Sequence, residues 1–402
     1  MAQNVHISKL TLTDFRNYTR LSWRPGPGLT ILTGPNGAGK TNVLEAVSLL
    51  APGRGLRAAP LGRLAYQPPG GEGLRGGWGV AAELTVESPH GQEAITLATA
   101  VEEGQRRRQF RLDGEAVRSQ ADVADWFACV WQTPAMDRLC SEGAGGRRRF
   151  LDRLVVAHQP GHAREMAAHE QALAGRNRLL AAPPGTWDHD WLDALEASLS
   201  RHAVAATAAR LAFLEAMAAL PAPPSPPSST RHAFPRSLLE LSCPLAERLA
   251  SMPALEVEEW MKATLRQNRQ EDALRGYCGF GAHKAHFTLR DATTGRLGGE
   301  ASSGQQKTMV LGTLLDHARL MAQVGPVRPV LLLDEPLLHL DALHREALME
   351  RLLEAGATAL LTGTDRSTFA PLEGQAAFWG VETGAEGSPT LQRLPSLPTL
   401  GA

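Results

Sequence analysis

Apolar and polar residues alternate at the start of the chain. Val5 and Ile7, then Leu10 and Leu12, stand between polar neighbours, which is the two-residue period of half-buried strands. A second apolar burst, Leu29–Thr33, runs into Gly34-Pro35-Asn36-Gly37. Beyond that Gly-rich loop the period lengthens, and Val43, Ala46, Val47 and Leu50 fall on one face of a helix over 42–50. Residues 51–112 are rich in Gly, Pro and Arg, with strand patterns clearest at Trp78–Val86, Ala94–Val101 and Gln109–Leu112 and a loop at 70–79. From about Asp122 to Leu274 the spacing becomes helical, Phe150-Leu151 and Leu154-Val155 forming one i, i+4 face. The longest run, Trp187–Leu220, would extend roughly 50 Å as one helix. It ends in the Pro-rich stretch 221–230, which cannot be helical and is expected to be an extended hinge inside the helical region. After His283, strand and helix patterns alternate again. Pro329–Asp334 is an apolar run ending in an acid, suited to a buried parallel strand, and Ala357–Thr362 is a second short candidate.

These patterns predict an α/β core built from both chain ends, 1–118 and 283–402, with a mainly helical lobe inserted at 119–282. No heptad repeat is sustained, which disfavours a long coiled coil. Composition changes this picture little. The chain has 402 residues, of which 43% are hydrophobic, enough for a substantial core. Lys+Arg (41) and Asp+Glu (42) nearly cancel, so any nucleic-acid surface must come from local clusters. Cys129, Cys140, Cys243 and Cys278 form no C-x-x-C pair, which points to buried thiols in a reducing compartment. The first residues lack a signal-peptide core and no apolar run reaches membrane-spanning length, so a cytoplasmic protein is expected. His158, His162 and His169 suggest a metal site. However, Pro160-Gly161 breaks the helix between the first two, and no acidic or Cys partner has ligand spacing.

The chemistry is concentrated in a few motifs. Gly34-Pro35-Asn36-Gly37-Ala38-Gly39-Lys40-Thr41 matches the P-loop pattern G-x-x-x-x-G-K-[ST], follows a strand pattern and, with Asn42, opens a helix. The glycines allow backbone N–H groups to wrap the phosphates of ATP. Lys40 would reach the β- and γ-phosphates as a catalytic cation, and the Thr41 hydroxyl would hold Mg²⁺. Val330–Asp334 with Glu335 and Pro336 looks like a Walker B strand. Asp334 would support the Mg²⁺ and Glu335 would polarise the attacking water. Ser302-Ser303-Gly304-Gln305 precedes an apolar helix at Met309–Leu315 and resembles the ABC signature, a helix N-terminus that completes the partner subunit's ATP pocket. Asp341, in His339-Leu340-Asp341, stands at the D-loop place. Where a switch histidine is usual, Thr364 is found; a hydroxyl cannot act as a cation, so slow turnover is expected. Gln132, after Val130-Trp131, is either a Q-loop residue or an ordinary strand-end polar residue.

Several further stretches resemble the RecF family of ABC-type ATPases. They are Phe15-Arg16-Asn17-Tyr18, Lys40–Ala46, Pro52–Arg57, Arg147–Asp152 and Ser303–Lys307, in family order from residue 5 to 365. The segment Gly281–His286 departs from the family's usual pattern: its two acids are absent, and Lys replaces Arg. The resemblance implies an ATP-dependent homodimer that binds double-stranded and gapped DNA. It further implies action with RecO and RecR at single-strand gaps to help RecA load. Candidate phosphate contacts are Arg54 and Arg57, which crowd one loop with Arg63, and Arg107 and Arg111, which share a strand face with Gln109. Arg147 is a further candidate, although charge runs are often solvated faces and Arg148 is spaced to pair with Asp152. Two other readings stand beside this one: a transporter ATP-binding subunit, and an SMC-class ATPase, whose heptad arms are missing here. No helix-turn-helix or zinc finger suggests base reading.

Overall fold

The computed structural model describes residues 2–67, 76–88, 91–105, 107–183, 185–221, 234, 236–384 and 388–395; residues 222–230 of the Pro-rich stretch lie outside them. In chain order the strands are β1 (Asn4–Phe15), β2 (Tyr18–Trp23), β3 (Leu29–Thr33), β4 (Trp78–Ser88), β5 (Gly91–Val101), β6 (Gln109–Leu112), β7 (Glu115–Ala116), β8 (Cys129–Gln132), β9 (Ser237–Ser242), β10 (His286–Asp291), β11 (Val330–Leu333), β12 (Ala359–Gly363), β13 (Ala376–Thr383) and β14 (Pro389–Arg393). The α-helices are α1 (Lys40–Leu50), α2 (Gln120–Ala124), α3 (Ala144–His158), α4 (His162–Leu180), α5 (His189–Ala219), α6 (Pro244–Leu249), α7 (Ala254–Gln267), α8 (Arg269–Arg275), α9 (Ser303–Val324) and α10 (Ala342–Glu354).

The chain forms two compact units. Of the described residues, the first comprises those within 2–137, Phe234 and those within 310–395; the second comprises those within 138–221 and 236–309. In the first unit an antiparallel sheet has the order β2-β1-β4-β5-β6-β7, and a second sheet has the order β14-β13-β3-β12-β11-β8. All neighbours in the second sheet are parallel except β13 and β14. Its central strands β3, β11 and β12 are buried along their whole length, as strands covered on both faces must be.

Two features of this unit correct the simple periodicity. The apolar phase of β1 jumps from odd positions (Val5, Ile7) to even ones (Leu10, Leu12), yet all four are buried. A bulge between Ile7 and Lys9 supplies the extra residue that turns the later side chains back inward. The helix α1 buries more than the expected single face: Leu44, Glu45, Ser48 and Leu49 are also buried. It packs against β4 and β5 on one side and β11 and β12 on the other, so its polar groups must find partners inside. Glu45 accepts both Arg16 Nε (2.8 Å) and Nη2 (2.7 Å), with Arg57 Nη1 at 3.3 Å. Ser48 Oγ donates to Glu45 O and accepts the N–H of Leu56, each at 2.7 Å.

The second unit is mainly helical. The longest helix, α5, spans 31 residues, and Asp188 caps it by accepting the N–H of Trp191. The helical spacing of 122–274 conceals two strands: β8, a four-residue edge strand of the first unit, and β9, which pairs with β10 in the second. Neither alternates strictly: Cys129-Val130-Trp131 is an unbroken apolar run, and Leu238 and Leu239 stand side by side. The second unit's core encloses Arg176, which is fully buried and donates to Glu196 (2.9 Å), Asp272 (2.7 Å) and Leu265 O (2.7 Å). No helix among the described residues is long and apolar enough to cross a membrane.

Candidate nucleotide site at the carboxyl edge of the parallel sheet

In open α/β sheets ligands gather outside the carboxyl ends of the strands. Here the register places Thr33, Gly363, Leu333 and Gln132 at the ends of β3, β12, β11 and β8. The segments that leave those ends carry the P-loop, Thr364, the Asp334-Glu335 pair and the turn after Gln132.

The P-loop takes its shape from glycine. Gly34 (φ +151°), Gly37 (φ +81°) and Gly39 (φ +109°) occupy left-handed backbone space. A Cβ on Gly34 would lie 2.3 Å from the carbonyl oxygen of Val381, and one on Gly39 would lie 2.8 Å from both Asn17 Nδ2 and Tyr18 Oη. Asn42 Nδ2 donates to Asn17 Oδ1 at 2.7 Å, and Arg57 Nη1 donates to Asn42 Oδ1 at 2.9 Å. The Phe15-Arg16-Asn17-Tyr18 hairpin and the Arg57 loop thus brace the start of α1.

Lys40 is buried and donates from Nζ to the carbonyls of Gly34 (2.7 Å) and Pro35 (2.9 Å). Burial pushes its pKa below the usual lysine value, while Glu335 and Asp334 pull it part of the way back up. Thr41 Oγ1 donates to Asp334 Oδ1 at 2.9 Å, so residues nearly three hundred positions apart meet at one oxygen. The same oxygen accepts Thr362 Oγ1 at 2.7 Å, and Thr362 Oγ1 accepts the N–H of Glu335 at 2.9 Å. Glu335 adopts a left-handed backbone (φ +51°), uncommon for a non-glycine residue and concentrated at functional turns. Gln132 is fully buried; its Nε2 donates to Asp137 Oδ1 at 3.0 Å and its backbone oxygen accepts the N–H of Asp334 at 3.1 Å. A loop of backbone amides, a cation, a hydroxyl and two carboxylates can together bind a polyphosphate and its hard counter-ion.

The other candidates fall elsewhere. Thr364 is exposed beyond the end of β12. Asp341 caps α10, accepting the N–H (2.9 Å) and Nδ1 (2.8 Å) of His344. Ser302–Gln305 belongs to the second unit and opens α9 with a capping box. Ser302 Oγ accepts the N–H of Gln305 (3.4 Å), and Gln305 Oε1 accepts the N–H of Ser302 (3.0 Å). Arg54, Arg107 and Arg111 are exposed. Arg57 is exposed too, but its guanidinium is tied to Asn42 and Glu45. Arg147 is half-buried and donates to the carbonyls of Phe287 and Glu142. The expected Arg148–Asp152 pair is replaced. Asp152 takes Arg210 (2.7 and 2.9 Å) and His162 (2.9 Å), while Arg148 donates to Ala285 O (2.8 Å). Sequence reasoning missed Thr362 and Asn17 as parts of the site. Neither lies in a P-loop or Walker pattern, though Asn17 stands inside the quoted hairpin motif.

The family described as RecF/RecN/SMC N terminal domain matches residues 6–375. A DNA replication and repair protein RecF of Mesorhizobium japonicum is 40% identical over 387 residues, covering 96% of this chain and 99% of its own. Its counterpart in Brucella suis biovar 1 is 38% identical over 380 residues, covering 94% and 95%. Among solved structures, the recombination mediator protein RecF-ATPrS in the RecFOR pathway has a TM-score of 0.78 at 18% identity and covers 98% of this chain and 100% of that one. An SmcHead bound to the C-winged helix domain of ScpA has a TM-score of 0.52 at 14% identity, covering 98% of each. The structural likenesses concern the fold, an α/β ATPase head with a helical insertion. With the family match and near-full-length relatives carrying one name, the chain belongs to the RecF family.

Proposed function

We propose that this protein binds ATP with Mg²⁺ at the carboxyl edge of its parallel sheet. It then dimerises on the nucleotide, binds double-stranded DNA in that state, and hydrolyses ATP slowly to release it. The observation that carries the reading is the meeting of Thr41, Asp334, Thr362 and the Glu335 amide beside the P-loop. In this reading the backbone N–H groups of Gly34, Asn36, Gly37, Ala38 and Gly39 enclose the phosphates; Pro35, which has no N–H, shapes the loop, and Asn42 carries it into α1. Lys40 exchanges two carbonyls for β- and γ-phosphate oxygens, which favour its charged form where burial opposes it. The Thr41 hydroxyl and the Asp334 carboxylate, 2.9 Å apart, are the oxygen donors a hard cation needs, and they would hold Mg²⁺. When bound, the ion neutralises charge on the β- and γ-phosphates. Glu335 acts as general base, orienting a water for attack. Thr364 offers no cation to the γ-phosphate, which fits a slow switch better than a motor.

The dimer would use Ser302, Ser303, Gly304 and Gln305 as a helix N-terminus for the partner's nucleotide, and Asp341 as its D-loop residue. Leu338 and Leu343, exposed on either side of Asp341, support burial there. Arg54, Arg107 and Arg111 would meet DNA phosphates. Arg57 and Arg147, already engaged, would contribute by bracing the Arg57 loop against α1 and the start of α3 against β10. The first unit would supply the ATPase lobe and the second the helical lobe, which moves 119–137 and 283–309 across the boundaries expected at 1–118, 119–282 and 283–402. Family membership supports a cytoplasmic role in recombinational repair and replication restart at single-strand gaps, with RecO and RecR assisting RecA. The test is anisotropy of a labelled duplex titrated with protein at fixed salt. Tight binding with ATP and weak binding with ADP is expected, and Lys40→Ala should lose the difference. Equal affinity in both nucleotides would remove the gating.

A further inference from the structure

Thr362 belongs to no phosphate-binding motif, yet it stands between the two acids of the site. It is fully buried near the end of β12. A hydroxyl has one hydrogen and two lone pairs. Thr362 gives its hydrogen to Asp334 Oδ1 and offers a lone pair to the Glu335 N–H, so the direction of both bonds is set. The amide it holds belongs to a residue with φ +51°, a conformation that persists only where the surroundings enforce it. Asp334 Oδ1 has a second donor, Thr41. A cation drawn to Thr41 and Asp334 competes with that second bond, whereas Thr362 approaches from the neighbouring strand and can keep its own.

We infer that Thr362 is a positioning residue for ATP hydrolysis, fixing the Asp334 carboxylate and the Glu335 turn relative to each other without touching the nucleotide. The inference rests on the proposed ATP–Mg²⁺ site. Thr362→Val keeps the shape of the side chain and removes both bonds, leaving the Glu335 N–H without its partner; Thr362→Ser keeps the hydroxyl.

The experiment compares wild type, Thr362→Val, Thr362→Ser and Lys40→Ala. Mn²⁺ is titrated by electron paramagnetic resonance in saturating ATPγS, fluorescent ATP binding is measured in EDTA, and steady-state hydrolysis is followed against ATP. For Thr362→Val, Mn²⁺ affinity and kcat should each fall about 10- to 100-fold, the range seen when a ligand's outer partner is lost. Its metal-free nucleotide affinity should stay within about threefold, and Thr362→Ser should track wild type. If Thr362→Val does not fold, Thr362→Ala provides the same comparison with less bulk. Wild-type Mn²⁺ affinity and kcat in Thr362→Val, with nucleotide binding lost only in Lys40→Ala, would overturn the inference and leave the ATP site standing. Equal losses in the Val and Ser variants would overturn it too, since the hydroxyl would then be irrelevant. A wild-type protein that binds no ATP removes both the site and the inference.

Discussion

A methyl group at residue 34 would have no room, because the Val381 carbonyl oxygen lies 2.3 Å from its ideal position and φ is +151°. Gly34→Ala must therefore push β13 away or unwind the loop. Nucleotide affinity should fall by at least about tenfold, which is ~1.4 kcal/mol, as fluorescent-ATP titration would report. Unchanged affinity would mean that the phosphates do not use this loop. At Glu45 the concern is stability. Its buried carboxylate is met twice by Arg16 and more weakly by Arg57. Arg16→Ala leaves one long contact, and urea unfolding should show a loss of about 2 kcal/mol, below the ~3–5 kcal/mol typical of a wholly buried pair because Arg16 is partly exposed. The P-loop residues were legible from order alone, since a local backbone shape needs particular residues in a row. Thr362 was not, because its role depends on which strand lies beside β11.

Elements carry the pH response. In the helical unit, burial lowers the pKa of His158, His169 and His283, and that of His169 falls to about 4. A histidine held neutral binds fewer protons folded than unfolded between its folded pKa and the ordinary value near 6.5. Stability therefore rises with pH across that window and is lost as pH falls through it. Thermal unfolding should move to lower temperature between pH 6.5 and pH 4.5. His169→Gln should flatten part of that slope, and an unaltered slope would place the effect on other groups. Elements also show where periodicity succeeds and fails. Strands β4 and β5 stand out because they are long and half-buried. The phase jump in β1 is a bulge, which a strict two-residue period does not accommodate. The spacing of Arg148 and Asp152 suits a helical pair, but Arg210 from α5 holds the carboxylate instead.

For the whole molecule, the DNA reading predicts a salt signature. Each phosphate contact removed lowers the slope of log affinity against log salt by about 0.9. Replacing Arg107 and Arg111 by Ala should thus reduce that slope by about 2 in ATP without altering nucleotide affinity. An unchanged slope would assign those arginines to a solvated face. The sequence by itself determined the P-loop, the acids after an apolar strand, the Ser-Gly-Gln helix start and the family, because these are short runs whose chemistry depends on adjacent residues. The tertiary structure decided what depends on distant ones. It set the strand order that brings Thr41 to Asp334, the partners that hold Arg57 and Arg147, and the burial of every residue of α1 from Val43 to Leu50. Sheet order and helix packing are set by long-range burial, which no local period encodes.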